Sequence, residues 1–128
     1  MGFFTSFFDN SESEKSNSSL NWMVLNDANQ LDLILEASKE KPVVVFKHST
    51  RCSISRMALK QFENAFDLED KITPYFLDLL TYRPISNEIA SKFEVMHQSP
   101  QIIVIKNGRA IFDASHSDID AEELKNYI

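Results

Sequence analysis

From Leu20 onward the apolar positions come in runs that switch between dense strand-like blocks and helical periodicity. LNWMVL (20–25) reads as a first strand, and Asp27 with Gln30 three residues later forms a start signal for a helix through ANQLDLILEASKE (28–40), with Leu31, Ile34 and Leu35 on one face. Pro42 closes that unit. PVVVFKH (42–48) is a continuous β-branched and aromatic run, the pattern of a strand covered on both faces. Ser49 or Thr50 then caps a helix from about Cys52 to Phe66, with Ile54, Ala58, Phe62, Ala65 and Phe66 on its apolar face. KITPYFLDLL (71–80) reads as a third strand and RPISNEIASKF (83–93) as a helix with Pro84 in its first turn. PQIIVIKNGRAIFDAS (100–115) reads as two strands joined at Asn107-Gly108, after which Ser117 or Asp118 caps a last helix to the chain end. This β-α-β-α-β-α-β-β-α order requires parallel pairing early and antiparallel pairing late, hence an α/β domain with a mixed central β-sheet flanked by helices.

Residues 1–19 break the rhythm. MGFFTSFF sets Phe3, Phe4, Phe7 and Phe8 on one side of a possible helical turn, and the serine-rich polar stretch after it reads as a flexible tail. Gly2 and Ser6 have the spacing of an N-myristoylation signal, which the bulky Phe3 fits poorly, and the phenylalanines equally suit loose packing or a partner contact. The expected organisation is therefore a 1–19 tail and a single 20–128 domain. With 128 residues and 43% hydrophobic content the chain supports one core. A net charge of -6 and a pI near 5.0 argue against the basic footprint of a nucleic-acid binder. No apolar run is long enough for a membrane span, no secretory signal is recognisable, and one cysteine allows no internal disulfide, so a cytoplasmic setting is expected.

That cysteine carries the candidate chemistry. Cys52 follows the central strand at a helix start, where unpaired backbone N–H groups and the positive end of the helix dipole favour a thiolate. Arg51 and Arg56 add positive charge, Ser55 offers a hydroxyl three residues on, and Lys47 and His48 lie just upstream. The other reading, a small buried hydrophobe, suits an apolar neighbourhood better than this polar and basic one. His48, His97 and His116 with one cysteine lack any metal-ligand spacing, so no metal is expected.

FKHST with Cys52, Ile54 and Ser55, RPISN from Arg83, HQSPQ from His97 and ASH from Ala114 together resemble the monothiol bacilliredoxins of the thioredoxin superfamily, over about 31–119. The resemblance implies a thioredoxin-like fold and removal of bacillithiol from protein mixed disulfides. Cys52 would attack the bacillithiol sulfur, with Arg51, Ser53, Ser55 and His48 stabilising its thiolate. Ser55 stands where a resolving cysteine would be, so an external thiol, redoxin or reductase must free the enzyme. S-thiolated client proteins are the implied partners and bacillithiol the co-substrate, with no bound cofactor. Lys47, Arg83, His97, Ser99, Pro100 and Gln101 are the implied substrate-binding set. As a bare dipeptide Ser99-Pro100 is expected trans; the resemblance implies a cis-proline loop facing the cysteine. Arg83 and Gln101 could meet the carboxylates of bacillithiol's malate group, and a solvated helix-start arginine fits Arg83 equally. Where the family pattern has proline after the cysteine this chain has Ser53, which restores a backbone N–H there. That departure keeps open a monothiol redoxin using glutathione or coenzyme A; a non-catalytic thioredoxin-like binding or stress-adaptor module is the alternative from another class.

Overall fold

A computed structural model describes residues 20–128. Phe3, Phe4, Phe7, Phe8 and the Gly2–Ser6 pattern lie outside the described residues. Strand β1 (Met23–Val24) leads to helix α1 (Gln30–Ala37), strand β2 (Val43–His48), helix α2 (Ser53–Ala65) and strand β3 (Thr73–Asp78). Helix α3 (Arg83–Phe93) and the hairpin β4 (Gln101–Lys106) and β5 (Arg109–Ser115) follow, then 3-10 segments at His116–Asp118 and Ala121–Tyr127. The sheet order is β1-β3-β2-β4-β5, with β1 and β2 parallel to β3 and the β2-β4 and β4-β5 pairs antiparallel. This is the thioredoxin-like mixed sheet.

β2 is central, and every residue in it is buried. Alternation along a strand sends successive side chains to opposite faces, so β2 serves two cores. Val43 and Val45 join Leu31, Ile34, Ile85, Ile89 and Phe93 beneath α1 and α3. Val44 and Phe46 join Phe62, Phe66 and Leu124 beneath α2 and the C-terminal segment. In the second core Phe62 stacks on Phe66 with ring centroids 5.2 Å apart, and Trp22 covers Phe46 and Phe62 while its indole N–H donates to Glu63 Oε2 at 2.7 Å.

The expected start signal at Asp27 and Gln30 forms, with Gln30 Oε1 accepting the amides of Asn26 and Asp27 at 2.8 and 3.0 Å, but α1 begins two residues later than expected, at Gln30 itself. At its other end Ser38 ties the helix to the β4-β5 turn. Its carbonyl accepts from Asn107 N–H and its Oγ from Gly108 N–H, both at 2.8 Å, while the hydroxyl donates to Leu35 O at 2.7 Å. Gly108 has φ +76, and a Cβ there would sit 3.1 Å from Leu35 Cδ2, so the turn needs glycine. Ser38→Ala strips the half-buried Gly108 amide of its partner and is expected to lower stability by about 1 kcal/mol, read as a lower urea midpoint at unchanged slope.

The last expected helix is corrected. Ile119 and Asp120 return to extended backbone, so the segment splits into two 3-10 pieces. Asp120, in place of Ser117 or Asp118, makes the cap by accepting Glu122 N–H at 3.0 Å.

Candidate functional site

β2 delivers its chain end to the rim of the sheet at His48, and the turn through Ser49–Cys52 reverses it into α2. The cap of α2 is Cys52 itself, with extended backbone at φ -110 and ψ 122, where the sequence had offered Ser49 or Thr50. Ser49 is spent on the turn, its carbonyl accepting Cys52 N–H at 3.2 Å. Arg56 N–H closes the first helical turn on Cys52 O at 3.0 Å, and the Arg56 guanidinium grips Thr50 O at 3.2 Å. The thiol is free and half-buried, and its side chain makes no capping hydrogen bond. Arg51 beside it is exposed, as is Ser53, whose backbone N–H opens the helix.

Ser55 is fully buried, and its contacts are with the strand end rather than with the sulfur. Its Oγ accepts Ser49 N–H at 3.0 Å and lies 2.8 Å from His48 Nδ1. Ser55 and His48 therefore brace the turn that presents Cys52. Burial holds the His48 imidazole below its ordinary value; Asp78, its β3 register partner, pulls it back up, Arg56 pushes it down and the Ser55 contact raises it.

Strand parity puts Lys47 on the opposite face from His48, under α3. It has no exposed surface, so the expected direct substrate contact is corrected: its ammonium meets Ser86 O at 3.3 Å and His97 Nδ1 at 3.4 Å. Burial, then the charge of Arg83, lowers the Lys47 pKa to about 8. Ser86 Oγ also meets His97 Nδ1, at 3.2 Å. Burial first, then Lys47 and Arg83, lower the pKa of His97. Arg83 is exposed and uses its Nε on Asn87 Oδ1 at 3.2 Å.

The β2-β4 ladder ends where Lys47 pairs with Gln101, and Ser99 and Pro100 form the bend that leads into β4 at that end of the sheet. The Ser99-Pro100 bond is cis. Ser99 Oγ is buried and has no hydrogen-bond partner among the described residues. Gln101 is fully buried and corrected from ligand contact to loop support: its amide donates to Met96 O at 3.0 Å and accepts Gln98 N–H at 3.3 Å. The site thus brings Cys52, Ser55 and His48 together around one turn and Lys47, Arg83 and His97 around a second corner of the same rim. Ser86 was not singled out in the sequence, yet it meets both Lys47 and His97 at this corner; RPISN places it three residues after Arg83, about one helical turn on.

Ile54 is 58% exposed, against its expected place in the core, because the first turn of α2 stands at the sheet rim. With Met57, Ala58, Gln61, His116 and Ser117 it lines a groove of about 230 Å³ beside the cysteine helix. Among the described residues no cluster of His, Cys, Asp and Glu could hold a metal, and no helix is long and apolar enough to cross a membrane.

A family model described as Monothiol bacilliredoxin BrxC matches residues 23–124. Among solved structures, one described as a candidate oxidoreductase with a thioredoxin fold is 34% identical, covering 81% of this chain and 90% of its own at a TM-score of 0.70. Thioredoxin from Malassezia sympodialis is 20% identical, with 90% and 94% coverage and a TM-score of 0.64. Thioredoxin from Trypanosoma brucei brucei is 15% identical, with 83% and 89% coverage and a TM-score of 0.65. The last two speak for the fold.

Proposed function

Because the chain belongs to the monothiol bacilliredoxin family of thioredoxin-like oxidoreductases, we propose that it removes bacillithiol from protein mixed disulfides in the cytoplasm, with Cys52 as the nucleophile. The observation that carries the reading is a single half-buried thiol at the N-cap of α2, with a buried serine where a resolving cysteine would stand.

In the first step the Cys52 thiolate attacks the bacillithiol sulfur of the client mixed disulfide. The client–bacillithiol S–S bond breaks, its electron pair leaves on the client sulfur, and the client thiol is restored as Cys52 becomes disulfide-bonded to bacillithiol. In the second step an external thiol, free bacillithiol or a redoxin, attacks the bacillithiol sulfur. Cys52 leaves as thiolate, and the two electrons come from that external thiol. Ser55 cannot act as internal resolver, since a hydroxyl forms no disulfide. The backbone of Ser99 is proposed to pair with the bound disulfide and its unpartnered Oγ to find its partner there, while Arg83 and His97 receive the carboxylates of bacillithiol. S-thiolated proteins are the proposed clients.

Intact-mass analysis of reduced protein after brief exposure, in parallel, to bacillithiol disulfide and glutathione disulfide tests the proposal. The expected result is a rapid bacillithiol adduct on Cys52, reversed by free bacillithiol and absent from Cys52→Ser. Faster modification by glutathione disulfide, the outcome that Ser53 after the cysteine keeps in view, would reassign the thiol. No adduct from either would overturn the enzymatic reading.

A further inference from the structure

Among the described residues no carboxylate pairs with the buried Lys47 ammonium. Its hydrogen-bonding neighbours are a helix carbonyl, Ser86 O, and an imidazole nitrogen, His97 Nδ1. The charged or titratable groups acting on it are Arg83 from α3 and His97 from the loop after α3. The flanking strands set uncharged Leu77 and Gln101 opposite it in register. A protonated lysine only donates. At hydrogen-bond distance it requires a lone pair on His97 Nδ1, which puts the ring proton on Nε2. Protonating both ring nitrogens would set an N–H against the ammonium, with Arg83 adding repulsion. Ser86 Oγ fits the same arrangement by donating to Nδ1.

The ring is half-buried, and its Nε2 carries no hydrogen bond among the described residues, which leaves that N–H for a ligand. We propose that Lys47 is a positioning residue that holds His97 as its neutral Nε2–H tautomer, making His97 a one-way hydrogen-bond donor to a carboxylate of the small thiol substrate, beside Arg83. The ligand half rests on the function proposed above; the tautomer half stands on the free protein. A donor fixed in this way accepts nothing from a substrate, so it favours an anion over a neutral hydroxyl or amide at that position. The arrangement lasts only while Lys47 is charged. Once its amine is neutral it can accept from Nδ1–H, and the restriction on the ring is lifted.

Long-range proton–nitrogen correlation spectra of the imidazole rings read this directly. In the wild-type protein at neutral pH, His97 is expected to carry its proton on Nε2 alone, and to gain Nδ1–H character as the pH rises through about 8, where Lys47 loses its proton. Lys47→Met is expected to abolish that alkaline change and to raise the acid midpoint of His97 toward the ordinary histidine value. Lys47→Arg keeps a donor that does not titrate and is expected to hold the Nε2–H form throughout. A wild-type His97 protonated on Nδ1 at neutral pH, or one that titrates identically in Lys47→Met, overturns the tautomer assignment. Millimolar L-malate is the carboxylate probe: it is expected to shift the Nε2 signal in the wild type and to do so less in Lys47→Met and in Arg83→Gln. No shift, or an equal shift in all three, overturns the ligand half. Because these spectra need no turnover, absence of bacillithiol exchange would leave the tautomer result readable by itself.

Discussion

Replacing Cys52 with serine is expected to lower exchange activity by at least about three orders of magnitude while making the protein more stable. The loss follows from the chemistry, since the attacking and leaving atom of both proposed steps is the one sulfur in the site and a hydroxyl neither attacks nor holds a disulfide. The gain follows from the helix. Cys52 has the extended N-cap backbone but makes no capping hydrogen bond, so the first amides of α2 lack their side-chain acceptor. Serine ranks among the best N-cap residues, its oxygen accepting from the second or third amide of the helix. The expected gain over cysteine is about 0.5–1 kcal/mol. Cys52→Ala separates the two effects, because it loses activity equally and gains no cap. Thiol release from a mixed-disulfide client measures the first effect and urea unfolding of all three proteins the second. Residual exchange in Cys52→Ser would place the reactive group elsewhere. A serine variant no more stable than the alanine one would mean that the cap position is not available to a side-chain oxygen.

The same helix start illustrates what could be read in the chain and what could not. The order of elements was legible because each buried strand is a block of β-branched and aromatic residues, α1 follows the Asp27–Gln30 start signal and α3 has proline in its first turn. PVVVFKH followed by Cys52 was enough to set a lone thiol at the rim of a central strand. Ile54 was not legible. Its spacing from Ala58 and Phe62 is helical, but the first turn of α2 projects to the rim, where no sheet lies beneath it, and a periodicity says nothing of where its partner surface ends. The final helix failed for a different reason: SHSDIDAEEL has a helical composition, and only the positive φ of His116 and the extended pair Ile119 and Asp120 reveal the break. Within the site, the positions of the candidate side chains along the chain were legible and their contacts were not. Lys47, Ser55 and Gln101 were expected to face a substrate or the sulfur, yet all three are buried in contacts with the turn, the helix or the loop. Whether a polar side chain touches a ligand or holds the residue that does depends on strand parity and packing across elements, which single-sequence spacing does not encode.

Lys47→Met is expected to stabilise the protein near neutral pH, with the gain fading as the pH rises. Burial holds the Lys47 pKa at about 8 in the folded chain against 10.5 in the unfolded one. The folded state therefore sheds this proton first, and between those values the unfolded chain binds more protons, so wild-type stability rises with pH there. Below about 8 both states are protonated and the whole penalty is present. At about 1.4 kcal/mol per pKa unit the depression amounts to about 3 kcal/mol, and the loss of the ammonium's two hydrogen bonds in the variant brings the net to about 2 kcal/mol. Methionine fills a similar volume without the charge, and exchanging a buried charge for a well-packed apolar group is commonly neutral or stabilising. Two bonds are lost in the exchange, but Ser86 O retains its place in α3. The expected result is a variant about 2 kcal/mol more stable than wild type at neutral pH and within about 0.5 kcal/mol of it once the pH passes 10.5. Tyr75, whose buried phenol has a raised pKa, titrates in the alkaline range in both proteins and cancels in the difference. Urea unfolding of both proteins across this range measures that difference. A variant less stable at neutral pH would mean that Lys47 anchors α3 through Ser86 at a net gain. A more stable variant whose His97 has lost its fixed tautomer would show a charge kept at the rim against the interest of folding, for what it does to the ring beside it.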